Sequence, residues 1–543
     1  MTRLELSTEL LDRPVASGRD ISPRATSSRS GDHWWISRSS WLDPLLLGLL
    51  ATVVSSLGSW IPSKWNDEAA TQTAAARTLP QLWQMMHHVD AVHGTYYAFM
   101  HFWIIAFGTS NVALRAPSMI AVGLTCAGVV ILGKRLGTRR IALCSAVVFL
   151  MLPRVTWMAI EARSYALTAL VAVWLTIVLV RIVDRQHQRW WAVYIVLAAV
   201  GVMLNVYLAL LVIAHGVALL LARRRLVQPN RILLRWAISG ALAAILASPI
   251  VWLVVGETSQ LPFGPLTLPS VANTLFIEQY FTGATPTLGR SVPVPPETLW
   301  GAAAILFAVC GWALIVAPAL FRRIRAVART NTTLGLLSVT VPWIVVPFIS
   351  IIGFSLVVTP IYTARYFSFT TPAVALLMGT SIAALSSQWK RVAAIALLAV
   401  VALPIFLSQR GPTSKNDTDW QQAASVIQSH AKPGQDIYYG PIRTGSSLST
   451  SKVRDAYPAV LAQLHDITQK TSGVQTNTLW DSQWPLTHAR TALRTTPLLW
   501  VVLEHYGVTS PATTKQEKYI EANGLHLKQA WRGPSTDVLL FVR

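Results

Sequence analysis

The sequence predicts an α-helical, polytopic membrane protein with about eleven transmembrane helices, followed by a small extramembrane α/β domain. Of the 543 residues, 53% are hydrophobic and only 13% are charged, whereas a soluble domain carries about 25% charged residues. The formal net charge is +21. The basic residues cluster in short loops between apolar runs, which follows the positive-inside rule and argues against nucleic-acid binding.

The chain divides into three predicted regions. Residues 1–40 are polar and rich in Arg and Ser, which is typical of a disordered cytosolic tail. Residues 41–408 form the transmembrane region. Its predicted spans are 42–61, 116–133, 141–159, 165–182, 190–204, 206–222, 234–255, 299–320, 334–358, 367–386 and 392–408. Asn205 marks a tight turn between two of them.

Loop charge predicts the orientation of the spans. Every second loop is basic, as with Arg223-Arg224-Arg225, and these loops are expected in the cytosol together with the amino terminus. The loops 62–115, 160–164, 256–298 and 359–366 then face outward, as does everything after residue 408. This topology requires that residues 83–107, interrupted by Asp90 and several His, form an amphipathic helix pair on the outer surface.

Residues 409–543 are predicted to form an extracytoplasmic α/β domain. Trp420–His430 is a predicted helix with Asp419 as its N-cap. The predicted strands are 436–439 and 498–503, a helix covers 515–523, and a hairpin follows at 525–531 and 537–542. Four tryptophans, Trp420, Trp480, Trp484 and Trp500, are either core residues or sugar-stacking platforms, and the core interpretation is favoured. No catalytic motif is visible in this region.

The acidic pair Asp67-Glu68 lies in the outer loop 62–115, just after the first span. A carboxylate held beside a hydroxyl at a membrane surface can act as a general base. Arg115, Arg163 and Arg365 are expected at outer helix ends. Because guanidinium groups bind phosphate oxygens in pairs, arginines at one membrane face indicate an anionic lipid headgroup.

Five segments, in this order, resemble a known family. They are WNDEAATQTAAART (65–78), HVDAVHGTYYAFMHFW (88–103), ALRAPS (113–118), EARSYA (161–166) and TARYF (363–367). They are similar to the GT-C glycosyltransferases that use polyprenyl-phosphate sugars, in the branch with bacterial protein mannosyltransferases and the aminoarabinose lipid A transferase. Actinobacterial membrane mannosyltransferases are the nearest look-alikes. The resemblance covers residues 42–408, and DWQQAA (419–424) resembles the outer domain of actinobacterial members.

The resemblance and the positions in the predicted outer loops together assign expected roles to ten residues. Asp67 matches the catalytic base, and Glu68 is its catalytic neighbour. The implied donor phosphate-binding residues are Arg365, Arg163 and His93, and the implied cavity-lining residues are Glu161, Asp90, Tyr97, Tyr366 and Arg115. No cofactor is required by this reading, because arginines can stabilise the leaving phosphate. A divalent metal is possible at Glu68, Asp90 or His93.

The implied function is an inverting glycosyltransferase on the outer face of a bacterial plasma membrane. It would move a sugar, mannose by preference, from a polyprenyl phosphate to a hydroxyl of a lipid, glycan or protein acceptor. Arabinofuranose, used in cell-wall glycan assembly, is the alternative sugar. A lipid-carrier flippase is an alternative of another class, but it would need polar groups in the spans and repeat symmetry, and neither is visible. A membrane scaffold with a polysaccharide-binding outer domain also stays open.

Overall fold

The structure is a computed structural model that describes residues 38–185, 187–257, 267–282, 298–328, 332–440, 450–504 and 511–543. Nearly all of the predicted tail 1–40 and most of the predicted loop 256–298 lie outside the described residues. The chain divides into residues 1–42 and residues 43–543. The architecture and the candidate site below belong to the second unit.

Helices make up the first part of the chain. Their bounds are α1 Arg38–Ser56, α2 Asn66–Ala75, α3 Leu79–Met86, α4 Gly94–Phe107, α5 Asn111–Leu136, α6 Arg139–Met151, α7 Pro153–Met158, α8 Tyr165–Arg185, α9 Arg189–Leu204, α10 Ala209–Leu221, α11 Pro229–Gly256, α12 Leu268–Asn273, α13 Gln279–Phe281, α14 Leu299–Leu320, α15 Arg322–Val327, α16 Leu336–Val357, α17 Thr371–Ala383 and α18 Gln388–Ser408. Short 3₁₀ segments at Ala91–His93, Val206–Leu208, Arg223–Arg225 and Ala364–Thr370 connect several of them.

Each of the predicted spans coincides with a helix or a helix pair. Within the described ranges, 7 helical segments are long and apolar enough to cross a membrane, and Trp41–Ser56, Arg189–Leu204 and Val206–Leu221 are shorter apolar helices. The predicted span 141–159 is not one helix. It is divided into α6 and α7 because Pro153 cannot donate the hydrogen bond that would continue α6. The protein is therefore a multi-pass membrane protein, as predicted.

Small residues allow the helices of the bundle to approach closely. A Cβ atom built on Gly379 of α17 would lie 2.5 Å from the Cα atom of Ser145 in α6. A Cβ atom on Gly123 of α5 would lie 2.7 Å from the carbonyl oxygen of Gly48 in α1. Close backbone approach at small residues is how helices associate in a membrane, where lipid chains remove the hydrophobic driving force between them.

The carboxy-terminal part is a mixed α/β domain. Its elements are α19 Trp420–His430, β1 Asp436–Gly440, α20 Lys452–Ala456, α21 Pro458–Leu461, β2 His465–Asp466, β3 Gln469–Thr471, β4 Ser482–Gln483, α22 Arg490–Thr495, β5 Leu498–Glu504, α23 Pro511–Glu521, β6 His526–Arg532 and β7 Thr536–Val542. A five-stranded sheet has the order β2-β1-β5-β7-β6. Strands β1 and β5 are parallel, and β6 and β7 form the predicted antiparallel hairpin.

One local prediction in this domain is confirmed in position but not in its hydrogen bonding: Asp419 is the N-cap residue of α19. Asp419 precedes α19 but its side chain makes no capping hydrogen bond to that helix. Instead, its carboxylate accepts hydrogen bonds from the backbone N–H groups of Ser535 at 3.0 Å and Thr536 at 3.1 Å. Asp419 therefore holds the β6–β7 turn against the start of α19, a contact between distant parts of the chain that a local capping pattern cannot reveal.

Candidate active site

The acidic pair lies on the first turn of α2, and its two carboxylates face different surroundings. Successive side chains of a helix are about 100° apart around its axis. Asp67 consequently faces two arginines, whereas Glu68 faces into a closed cluster of buried charges. The two residues, which the sequence presents as one unit, thus belong to separate environments.

Asp67 is held between two guanidinium groups. Its Oδ1 atom lies 3.4 Å from Nη2 of Arg163, and its Oδ2 atom lies 3.5 Å from Nη1 of Arg365. Burial by itself would raise the pKa of Asp67, but the two arginines outweigh it and hold the pKa below the usual range. Asp67 is therefore ionised at neutral pH and is 9% exposed.

Arg163 is oriented by Asp90, which precedes the 3₁₀ segment Ala91–His93, and by Tyr97 in α4. Its Nη1 atom donates a hydrogen bond to the Tyr97 hydroxyl at 2.6 Å and lies 3.9 Å from Oδ2 of Asp90. The Tyr97 hydroxyl in turn donates to Asp90. Asp90 has a φ of 62°, a left-handed conformation that Asp tolerates better than most residues. The predicted residues Asp90, Tyr97 and Arg163 are therefore in direct contact with one another.

His93 lies beside this group but carries no charge at neutral pH. It is 7% exposed, and its ring centroid is 6.0 Å from that of Tyr97. Burial, followed by the nearby Arg163, lowers the pKa of His93 to about 4. The 3₁₀ segment Ala91–His93 is anchored by Glu257 at the end of α11, whose two carboxylate oxygens accept from the Ala91 N–H at 3.0 and 2.9 Å.

Several donors around Asp67 have unused hydrogen-bonding capacity. Within the part of the chain that the structure describes, the Nε atoms of Arg163 and Arg365, the Nδ1 atom of His93 and the Tyr165 hydroxyl are buried and have no hydrogen-bond partner. Buried polar groups are normally satisfied in native proteins, and exceptions concentrate at functional sites. These polar groups lie together near the Asp67 carboxylate, and such a group of donors can bind an anionic ligand with several oxygen atoms.

Tyr366 belongs to an aromatic wall beside Arg365. Its ring centroid lies 6.1 Å from that of Tyr165 and 5.6 Å from that of Tyr207. Its carbonyl oxygen accepts from the Asn205 side chain at 3.0 Å. Asn205, predicted only as a turn, thus also fixes the 3₁₀ segment that carries Arg365.

Glu68 lies in a separate and closed ion-pair cluster. Its carboxylate accepts from Arg115 Nε at 2.8 Å and Nη2 at 2.7 Å, and from Lys415 Nζ at 3.2 Å. Lys415 also contacts Glu161 at 2.5 Å, and the Trp65 indole donates to Glu161 at 3.0 Å. Burial acts against ionisation of Glu68, but Arg115 and Lys415 dominate and lower its pKa.

This placement corrects the expected positions of Arg115 and Glu161. Both are 0% exposed, so they lie inside the closed cluster and not at a cavity wall. Sequence reasoning also missed Lys415, which follows the last span within GPTSKNDTDW. A lysine in a polar loop carries no local signal of burial, because its partners are residues far away in the sequence.

Glu68, Asp90 and His93, the possible metal ligands, do not form one ligand group among the described residues. Among the described residues, no group of three His, Cys, Asp or Glu side chains lies close enough to hold a metal ion. Asp67 and Asp90, the accessible carboxylates, both face the cation Arg163. A guanidinium group between two carboxylates disfavours a second cation there by charge repulsion.

Comparisons with known proteins agree with this architecture. Residues 96–253 match the family model of the dolichyl-phosphate-mannose-protein mannosyltransferases. This part of the chain includes Tyr97, Arg115 and Arg163 but neither Asp67 nor Arg365. No curated protein sequence matches the chain significantly.

Solved structures provide the clearest likeness. ArnT from Cupriavidus metallidurans bound to undecaprenyl phosphate has a TM-score of 0.54 and 13% identity, with 93% of this chain and 98% of ArnT covered. The same protein in its apo state has a TM-score of 0.53 and 14% identity, with 92% and 98% covered. The chain therefore has the GT-C fold, as predicted from sequence, with a carboxy-terminal α/β domain.

Proposed function

We propose that this protein is an inverting glycosyltransferase that uses a polyprenyl-phosphate sugar, with mannose as the sugar and the site on the outer face of a bacterial plasma membrane. The observation that carries the proposal is a buried carboxylate between two arginines that have unused hydrogen-bond donors. The mannosyltransferase family match over residues 96–253 supports the choice of mannose. The undecaprenyl phosphate bound to ArnT supports the choice of carrier.

The donor phosphate is proposed to bind against Arg163 and Arg365. In the structure these arginines contact Asp67 at 3.4 and 3.5 Å. The donor phosphate is a diester with one negative charge and two non-bridging oxygen atoms, so it resembles a carboxylate and competes for the same guanidinium groups. As it takes them over, the attraction that lowers the pKa of Asp67 weakens, and Asp67 becomes a stronger base at the moment when the donor is in place.

The transfer itself is a single displacement. Asp67 removes the proton of an acceptor hydroxyl while the hydroxyl oxygen forms a bond to the anomeric carbon of the sugar. The bond between that carbon and the phosphate oxygen breaks, and its electron pair remains on the polyprenyl phosphate. The arginines stabilise the charge that develops on this leaving group. No step is assigned to a metal ion, and the configuration at the anomeric carbon inverts.

Glu68 has a supporting role in this proposal. Its carboxylate is engaged by Arg115 and Lys415 and is completely buried. An acceptor hydroxyl has no access to it. Its expected contribution is to hold the start of α2, and therefore Asp67, against the bundle.

The decisive experiment compares Asp67→Asn with the wild type. The purified protein is given undecaprenyl-phosphate mannose or undecaprenyl-phosphate arabinose, and transfer to water and to octyl glycosides is measured. Transfer from the mannose donor should fall by about 10²–10⁴-fold in the variant, the range for loss of a general base. Asp436→Asn removes a carboxylate of the α/β domain that pairs with the exposed His465 and serves as the control. Near-normal transfer by Asp67→Asn would refute the role of Asp67 as the general base. A preference for the arabinose donor would refute mannose as the transferred sugar.

A further inference from the structure

The helix that carries Asp67 is clamped between the bundle and the carboxy-terminal domain. On one face, the Thr71 hydroxyl donates to the Ala162 carbonyl oxygen at 2.8 Å. On another face, Gln72 Nε2 donates to the Asp455 carbonyl oxygen of α20 at 3.0 Å. Lys64 Nζ, just before α2, donates to the carbonyl oxygen of Ala456 at 2.9 Å. The domain after the last span therefore reaches the immediate surroundings of Asp67.

Lys452 begins α20 and faces this junction. It is 3% exposed, and its Nζ atom lies 4.7 Å from the centroid of the Trp480 ring. Burial lowers the pKa of Lys452 to about 8, although Glu504 and Asp67 raise it, so the ammonium form still dominates at neutral pH.

Trp480 differs from the other tryptophans of its domain. Trp420 and Trp500 are each 1% exposed and belong to the core, as favoured from sequence. Trp480 is half-buried and packs against both the core of the bundle and the core of the α/β domain. Its ring consequently lies at the boundary of the two parts, beside a buried ammonium group.

We propose that Lys452 and Trp480 form the acceptor subsite of the transferase and that the acceptor is a carbohydrate. This inference rests on the proposed function. Arg163 and Arg365 come from segments next to membrane spans, where a lipid phosphate must lie, whereas Lys452 comes from the extramembrane domain. An aromatic ring accommodates the apolar face of a sugar, and an ammonium donates to its hydroxyl groups. The acceptor would thus approach Asp67 along the carboxy-terminal domain, and the lipid phosphate along the segments next to the spans.

Lys452→Met tests the inference, because it removes the charge and keeps the length of the side chain. Transfer from undecaprenyl-phosphate mannose to octyl α-mannoside is measured together with donor hydrolysis and undecaprenyl phosphate binding. We expect the KM for octyl α-mannoside to rise by about tenfold or more, the effect of one lost charge-assisted hydrogen bond. Hydrolysis and undecaprenyl phosphate binding should stay within about twofold of the wild type, and Lys452→Arg should restore part of the KM.

Lys470→Met is the matched control. Lys470 Nζ lies 4.2 Å from the Trp484 ring centroid on the exposed surface of the same domain, so this variant removes an equivalent cation–π pair away from the site. It should transfer like the wild type. If Lys470→Met and Lys452→Met both lose activity, the cause is a general loss of domain stability. That result would overturn the proposed acceptor subsite.

The outcomes separate this inference from the function on which it rests. A wild-type protein that neither hydrolyses nor transfers from any donor contradicts both. Active wild type with an unchanged KM in Lys452→Met contradicts the subsite alone, as does a variant that loses undecaprenyl phosphate binding. Hydrolysis without any transfer to octyl glycosides refutes a carbohydrate acceptor.

Discussion

Neutralising Glu68 tests whether this carboxylate is structural, in contrast to the proposed catalytic carboxylate of Asp67. The substitution Glu68→Gln keeps the shape of the side chain but removes its charge. In the structure, Glu68 accepts from Arg115 at 2.8 and 2.7 Å and from Lys415 at 3.2 Å, and its side chain is 0% exposed. The amide group of the variant has one oxygen atom and one NH₂ group. The NH₂ group would therefore point hydrogen-bond donors at Arg115 or Lys415, which are themselves donors.

The expected cost follows from the burial of the partners. Breaking a buried pair leaves an uncompensated charge in a low-dielectric interior, which costs about 3–5 kcal/mol of folding free energy. Asp67→Asn should cost less, because its contacts with Arg163 and Arg365 are longer, at 3.4 and 3.5 Å, and it is partly exposed. We therefore expect Glu68→Gln to lose stability first, and Asp67→Asn to lose transfer while remaining folded.

The assay is thermal unfolding of the detergent-solubilised protein, followed by tryptophan fluorescence, together with transfer measured well below the midpoint. A double variant that also carries Lys415→Met removes one of the unpaired cations. Its destabilisation should be smaller than the sum of the single effects, with a coupling of about 0.5–3 kcal/mol. A Glu68→Gln variant with wild-type stability and no transfer would refute this reasoning and make Glu68 a catalytic residue.

Three further predictions concern the site and the bundle. Arg365→Met should weaken undecaprenyl phosphate binding by about tenfold or more, whereas Arg365→Lys keeps the charge and should lose less, as measured by titration of the lipid phosphate. Because Arg163 and Arg365 hold the pKa of Asp67 below its ordinary value of 3.8, its base form persists above about pH 5. In the pH profile of kcat/KM, the loss of activity caused by protonation of Asp67 should therefore lie below pH 4. A loss of activity near pH 6.5 would contradict the assignment of Asp67 as the base. Gly379→Ala should destabilise the protein by about 1–3 kcal/mol through overpacking, since the added Cβ atom would meet the Ser145 backbone at 2.5 Å. Gly353→Ala, where a Cβ atom meets nothing within 4 Å, is the control in the same unfolding assay.

The sequence predicted many of the residues of the candidate site but not how they contact one another. The sequence places Asp67, Arg163 and Arg365 in three outer loops on the basis of hydropathy and loop charge. It does not show that they touch, because they lie in different segments and their distances depend on how α2, the loop before α8 and the 3₁₀ segment at Ala364–Thr370 pack together.

The residues that sequence reasoning missed share one property. Lys415, Lys452 and Tyr165 are polar groups whose partners lie in other elements. Neither periodicity nor local composition distinguishes a buried lysine from a solvated one. Their importance arises from burial, which only the folded chain defines.

The sequence by itself determined the fold class and the positions of the helices, because apolar runs of sufficient length must cross a bilayer. It also determined which residues between the spans carry charge. The tertiary structure decided how those charges pair. Asp67 and Glu68 are neighbours in sequence, but the rotation of about 100° between successive helix residues directs Asp67 toward Arg163 and Arg365 and Glu68 toward Arg115 and Lys415. Electrostatic pairing depends on distances of a few ångströms between elements, and those distances are set by packing and not by local sequence.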